Sequence, residues 1–122
     1  MSETSIEVWL EDIIDAIDRT IRILNGRDFD QYINDETSRL AIERCLEIVS
    51  EASRRIPGGL LERHPAIKWH AIRAIGNILR HEYGRVDDFV IWQTASVSMP
   101  ELRGAVVSLL AHVKTPYGRD SI

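Results

Sequence analysis

The side chains best suited to chemistry lie in one short stretch, from His70 to Tyr83. On an α-helix, His70, Ala74, Asn77 and His81 follow one another at spacings of four, three and four residues, which places them on one stripe. A neutral imidazole beside an amide donor, in a basic neighbourhood, suits proton transfer near a phosphate. A histidine on a helix surface is more often merely solvated, so the stripe alone indicates only a candidate site.

The charges of the chain are unevenly distributed. Residues 1–53 carry 5 Lys/Arg against 13 Asp/Glu, whereas residues 54–85 carry 7 against 2. The formal net charge of the whole chain is −4, which argues against a surface that binds anions everywhere. The basic stretch is compatible with one phosphate-handling region around Arg73 and Arg80, and also with the ordinary charge segregation of a helical protein.

The elements that must position these residues are helices. Apolar residues recur at spacings of three and four through almost the whole chain, which predicts an all-α, compact bundle of about five helices. The first apolar stripe consists of Ile6, Leu10, Ile13, Ile17, Ile21 and Leu24. The first predicted helix ends at Gly26. Three further helices are predicted from Asp35 or Thr37 to Pro57, from about Trp69 to Tyr83 and from about Asp87 to Val97, and a fifth has Pro100 in its first turn.

The size of the chain predicts one domain. A chain of 122 residues can bury a sufficient core without disulfides or a structural metal. We expect a single helical domain over residues 1–114 and a flexible tail over residues 115–122, where periodicity ends. The single cysteine, Cys45, lies in a helical apolar pattern and is expected to be a buried thiol. With no long apolar run and an acidic N-terminus, a cytoplasmic location is expected.

The sequence from Ile67 to Asp87, IKWHAIRAIGNILRHEYGRVD, resembles the core motif of the HepT-like ribonuclease toxins of the HEPN superfamily. That motif is Arg, usually followed by Asn, then three residues, His, any residue and Tyr. Asn77, His81 and Tyr83 stand in this order. The flanking segments are also similar to the helices of the family, so the resemblance covers the chain from about Val8 to Leu110.

The resemblance implies a HEPN-like fold and a metal-independent RNA endonuclease that works as a homodimer, with the motif helices of two subunits forming a composite cleft. His81 would be the general acid or base toward the ribose 2′-hydroxyl, assisted by Asn77, and the motif arginine would stabilise charge on the phosphate. The implied partner is a nucleotidyltransferase antitoxin, as in toxin–antitoxin systems of the HepT/MntA type. In some members of the family that partner uses ATP to transfer AMP to the motif tyrosine, which by position is Tyr83. The resemblance implies no metal and no cofactor for this chain itself.

The chain departs from the motif at Gly76, which occupies the position of the arginine. Three explanations are open: the protein is a weakened or inactive member of the family, a neighbouring cation substitutes, or the glycine is an inactivating change introduced because the active toxin kills its host. The candidate substitutes are Arg73, one turn earlier, and Arg80, which adjoins His81; both are also candidate RNA-binding residues. The alternative function is a non-catalytic helical module that dimerises and binds the nucleotidyltransferase.

Overall fold

The computed structural model describes residues 3–81 and 87–115, except for the side chains of residues 3, 4 and 81. Regular structure in this part of the chain is entirely helical, which confirms the all-α prediction. The elements are α1 (Glu3–Leu24), α2 (Phe29–Ile33), α3 (Glu36–Ser53), α4 (Gly58–Leu61), α5 (Trp69–His81), α6 (Asp88–Gln93), a π-helical turn (Thr94–Ser98) and α7 (Met99–Lys114). The expected tail lies outside the described residues from position 116 onward.

The core forms where α1 packs against α3 and α7, and α3 packs in turn against α5. Most residues of the predicted first stripe are buried, but Ile21 is 41% exposed. The core position in that turn belongs instead to Thr20, which is fully buried and donates its hydroxyl to the carbonyl of Ala16 at 2.9 Å. A satisfied hydroxyl costs little to bury, so a polar residue can take a place that the apolar pattern assigns to its neighbour. Cys45 is a buried free thiol, as expected.

The connection from α1 to α3 is organised by Arg27. Gly26, at φ 69°, ends α1 as predicted, because glycine adopts left-handed backbone without steric cost. The Arg27 side chain then donates to the carbonyls of Ile23 at 2.6 Å and Leu24 at 3.1 Å, at the end of α1. It also pairs with Asp35 at 2.7 Å, the residue that caps α3. One side chain therefore satisfies the end of one helix and holds the start of another.

The hydrogen bonds that Asp35 accepts from Arg27 and Ser38 make the stability of the fold depend on pH. The hydrogen bond from Arg27, and then those from Ser38, lower the pKa of Asp35 from 3.8 to about 2. Because the folded-state pKa is depressed, the stabilisation is complete above about pH 4 and is lost as the pH falls towards 2. We expect Asp35→Asn to lower the melting temperature near neutral pH by an amount that shrinks below about pH 4. Thermal unfolding followed by circular dichroism across this range measures the effect.

Asp30→Asn, on the exposed face of α2, is the matched control for that measurement. It removes a carboxylate from the same connection without touching the Arg27 contacts, so its melting temperature should stay close to that of the parent protein. If the difference between Asp35→Asn and the parent protein were the same near pH 2 as near neutral pH, the ion pair would not be its source.

The fourth and fifth predicted helices are continuous. Helix α6 passes through the π-helical turn into α7, where the sequence pattern predicts a break at Pro100. Proline has no N–H to donate to the carbonyl of Ser96, four residues earlier, and its ring crowds that carbonyl. The turn widens instead, and the Met99 N–H bonds to the carbonyl of Thr94 five residues back. Pro100 therefore lies in the first turn of α7, as expected, and the helix that precedes it continues into α7.

The helices of the described residues include none that is long and apolar enough to cross a membrane.

Candidate functional site

The candidate site is built on α5, which begins at Trp69 and ends at His81. The Trp69 indole donates to the carbonyl of His64 at 3.1 Å and fixes the start of the helix. Ile72, Gly76 and Leu79 are buried, and α5 packs along α3. His70 and Asn77 are exposed on another face of the helix, as the predicted stripe requires.

Gly76 lies against Ser50 of α3. Its N–H donates to Ser50 Oγ at 3.0 Å, and the same hydroxyl donates to the carbonyl of Arg73 at 2.8 Å. A Cβ on residue 76 would lie 3.0 Å from Ser50 Oγ and 3.3 Å from Ser50 Cβ. Such distances are too short for an ordinary contact, so the close approach of α5 to α3 at this point suits a glycine.

The buried setting of Gly76 bears on the predicted dimer. A glycine on a helix can permit close approach of a second subunit, but Gly76 is packed against α3 of its own chain. The homodimer therefore stays a prediction and draws no support from this residue.

Replacing Ser50 with alanine should lower the free energy of unfolding by about 1–2 kcal/mol, because a buried hydroxyl that both donates and accepts is lost. Denaturant unfolding of the two proteins measures this difference. The matched control is Ser108→Ala on the exposed face of α7, which should change stability by no more than about 0.5 kcal/mol. Equal effects of the two substitutions would contradict the bridging role of Ser50.

Arg80 folds back over Gly76. Its Nη1 atom lies 3.3 Å from the point where a Cβ of residue 76 would stand. Residues four apart are neighbours on one face of a helix, so the long arginine stem spans one turn towards the N-terminus. Arg80 as a whole is exposed, while Gly76 beneath its guanidinium is buried.

Arg73 is held differently. The residue is half-buried, and its Nε is enclosed without a hydrogen-bond acceptor among the described residues. Its carbonyl accepts from Ser50 Oγ and from Arg54 Nε at 3.2 Å. Arg73 thus contributes to the packing of α5 on α3 through both its backbone and the inner part of its side chain.

The structure describes only part of the two remaining motif residues, His81 and Tyr83. His81 is the last residue of α5, and its side chain lies outside the described part of the structure. Tyr83 lies outside it altogether. The structure therefore brings Gly76, Asn77 and Arg80 together on one helix, while the roles of His81 and Tyr83 stay predictions.

The other flank of α5 borders a groove of about 380 Å³ that separates it from α6 and α7. Apolar side chains such as Ile75 and Val90 make up most of its lining, and Lys68, Thr94 and Ser98 also line it. Within the described ranges, no group of three or more His, Cys, Asp or Glu side chains could hold a metal ion.

Ser50 is the residue at this site that the sequence did not single out. It lies 26 positions before Gly76, in the predicted second helix, and in no setting typical of a nucleophile. The feature of the sequence that could have indicated Ser50 is a small polar residue on the buried face of a helix. That feature identifies Ser50 only when Gly76 is known to lie opposite it.

The described residues form an all-helical domain in which Asn77 and Arg80 are exposed on α5 and Gly76 packs against α3. The sequence model of the HepT-like family, described as ribonuclease HepT-like, matches residues 13–109. The chain therefore belongs to the HepT-like ribonuclease family, which confirms the resemblance seen in the sequence.

Relatives in two archaea match nearly the whole domain. A provisionally named RNase of Methanocaldococcus jannaschii is 30% identical over 120 residues, covering 98% of this chain and 97% of its own. A second such protein from that organism is 31% identical over 103 residues, or 84% and 89% of the two chains. A Thermococcus cleftensis protein named "Probable ribonuclease HepT" is 34% identical over 96 residues, or 79% and 87%. No solved structure matches the chain significantly.

Proposed function

We propose that this protein is a metal-independent RNA endonuclease and the toxin of a toxin–antitoxin pair that acts in the cytoplasm. The observation that carries the proposal is the family match, which spans α5 and its motif residues. It is supported by the exposure of Asn77 and Arg80 on that helix, where an RNA strand could reach them.

In the proposed reaction the ribose 2′-oxygen attacks the adjacent phosphorus and the bond from phosphorus to the 5′-oxygen breaks. His81 takes the proton of the 2′-hydroxyl or supplies one to the leaving 5′-oxygen. The amide of Asn77 donates a hydrogen bond at the phosphate, and an arginine stabilises the developing charge. Two copies of α5 form the cleft in the proposed homodimer, so that each RNA strand meets residues of both subunits.

The proposed partner is a nucleotidyltransferase antitoxin. It would transfer AMP from ATP to Tyr83, whose hydroxyl attacks the α-phosphorus while pyrophosphate leaves. A bulky anionic group two residues from His81 would repel and exclude an RNA strand. ATP would serve the partner only, so the toxin itself carries no nucleotide cofactor.

The proposal is tested by incubating the purified protein with tRNA and mRNA in the presence of EDTA. We expect cleavage that persists in the chelator, because the candidate site depends on side chains alone. A strict requirement for Mg²⁺ would contradict the proposed mechanism. No cleavage by the protein under any condition would remove the enzyme assignment.

A second candidate function is a non-catalytic module that dimerises and binds the nucleotidyltransferase. The buried packing of Gly76 at the arginine position favours it, since glycine carries no charge. Induction with and without the neighbouring gene distinguishes the two functions, because only an active toxin should stop growth alone. Intact mass after mixing with the partner and ATP reports AMP on Tyr83, and light scattering at micromolar concentration reports the dimer.

A further inference from the structure

We propose that Arg80 supplies the cation of the catalytic site. Its guanidinium folds back to lie beside Gly76, which has no side chain of its own. This inference rests on the proposed RNA cleavage, which needs a donor for the charge that develops on the phosphate. In this proposal the glycine at position 76 has a role, because the absence of a side chain there lets the guanidinium of Arg80 lie beside it.

The position of the guanidinium along the helix supports this assignment. Arg80 Nη1 lies 3.3 Å from the Cβ position of residue 76, so its charge sits at the level of residue 76 and not beside its own backbone. At about 1.5 Å per residue, that level is roughly 7.5 Å along the axis from His81.

The charge of Arg80 is also available. Asp12, Glu47 and Glu51 line a small cavity together with Arg80. Glu47 pairs with Arg44 at 3.4 Å and Glu51 pairs with Arg55 at 3.1 Å. Arg80 forms no ion pair within the part of the chain that the structure describes. A guanidinium without a carboxylate partner can offer two parallel donors to a phosphate.

Arg73 is the weaker candidate. It is half-buried with an enclosed Nε, and its backbone carbonyl is engaged by Ser50 and Arg54. Its Cα lies roughly 12 Å along the axis from that of His81. Its side chain can contact a passing strand, but its packing restrains it from reaching the reacting phosphate.

The test compares the cleavage kinetics of Arg80→Ala, Arg73→Ala and Arg19→Ala on one short RNA. Loss of the charge-stabilising donor should lower kcat by about 10²- to 10³-fold in Arg80→Ala. Arg73→Ala should change kcat by less than about tenfold. Arg19, exposed on α1, is the matched control and should leave the rate unchanged. Arg80→Lys should recover only part of the loss, since an ammonium lacks the planar pair of donors.

A second arm replaces Gly76 with arginine in two backgrounds. In Arg80→Ala, the new guanidinium should restore part of the lost kcat, because the close contact of residue 76 with Ser50 remains. In the parent protein it should add little, because the new side chain meets both Arg80 Nη1 and Ser50 Oγ. Circular dichroism melting of each variant shows that a rate change is not a folding defect.

The outcomes separate this inference from the proposed function. A parent protein that cleaves RNA, with Arg80→Ala equally active, would overturn the role of Arg80 and leave the endonuclease assignment standing. Loss of activity in Arg73→Ala alone would transfer the role to Arg73. A parent protein inactive on every RNA, and still inactive with arginine at position 76, would overturn both.

Discussion

Replacing His81 with alanine should lower the rate of RNA cleavage by about 10²- to 10⁴-fold, the range expected when a general acid or base is removed. No other histidine of the chain stands at the motif position, four residues after Asn77. The change should fall mainly on kcat, because proton transfer belongs to the chemical step and not to the binding of the RNA. Cleavage of a short labelled RNA under saturating conditions measures it.

The fold should tolerate this substitution. His81 is the last described residue of α5, and the helix is anchored to the core through buried residues such as Ile72 and Leu79. His112→Ala, on α7, is the matched control and should retain full activity. If His81→Ala cleaved RNA at a rate within tenfold of the parent protein, proton transfer by this residue would be excluded.

The long helices could be predicted because their information is local. The apolar spacing in α1, α3, α5 and α7 recurs over several turns, and Gly26 closes α1 as backbone chemistry predicts. Helix α3 ends at Ser53, a few residues before its predicted end at Pro57. The junction before Pro100 could not be predicted in the same way. Proline at the start of a helix and proline after a π-helical turn produce the same local sequence, and packing of the continuous helix decides between them.

The sequence predicts only part of the candidate site. The motif places Asn77 and His81 on one helix, and the helical period places Asn77 on an exposed face. The contact of Gly76 with Ser50 joins residues 26 positions apart, so no local pattern contains it. The choice between Arg73 and Arg80 was likewise open, because both are near Gly76 on the helical wheel. The proposal for Arg80 depends on the packing of α5 on α3, in which the carbonyl and Nε of Arg73 are enclosed.

Arg27→Ala should lower the free energy of unfolding by about 2–3 kcal/mol, among the larger effects expected of a residue outside the apolar core. The guanidinium satisfies the carbonyls of Ile23 and Leu24 at the end of α1 and donates to Ser38 Oγ at 2.8 Å in α3. The carbonyl of Leu24 also accepts the backbone N–H of Arg27 at 2.9 Å, so truncation of the side chain leaves the carbonyl of Ile23 without this donor. Denaturant unfolding of the variant and the parent protein gives the difference.

The geometry of Arg27 gives this prediction a graded control. Arg27→Lys should recover only part of the loss, because one ammonium cannot reach the two carbonyls, Asp35 and Ser38 together. Arg22→Ala removes an exposed arginine from the last turn of α1 and should cost no more than about 0.5 kcal/mol. The Trp92 indole donates to the backbone carbonyl of Arg27 at 3.2 Å, a contact that side-chain truncation leaves in place. If Arg27→Ala were no more destabilising than Arg22→Ala, this backbone contact and the Gly26 turn would suffice to hold α1 against α3.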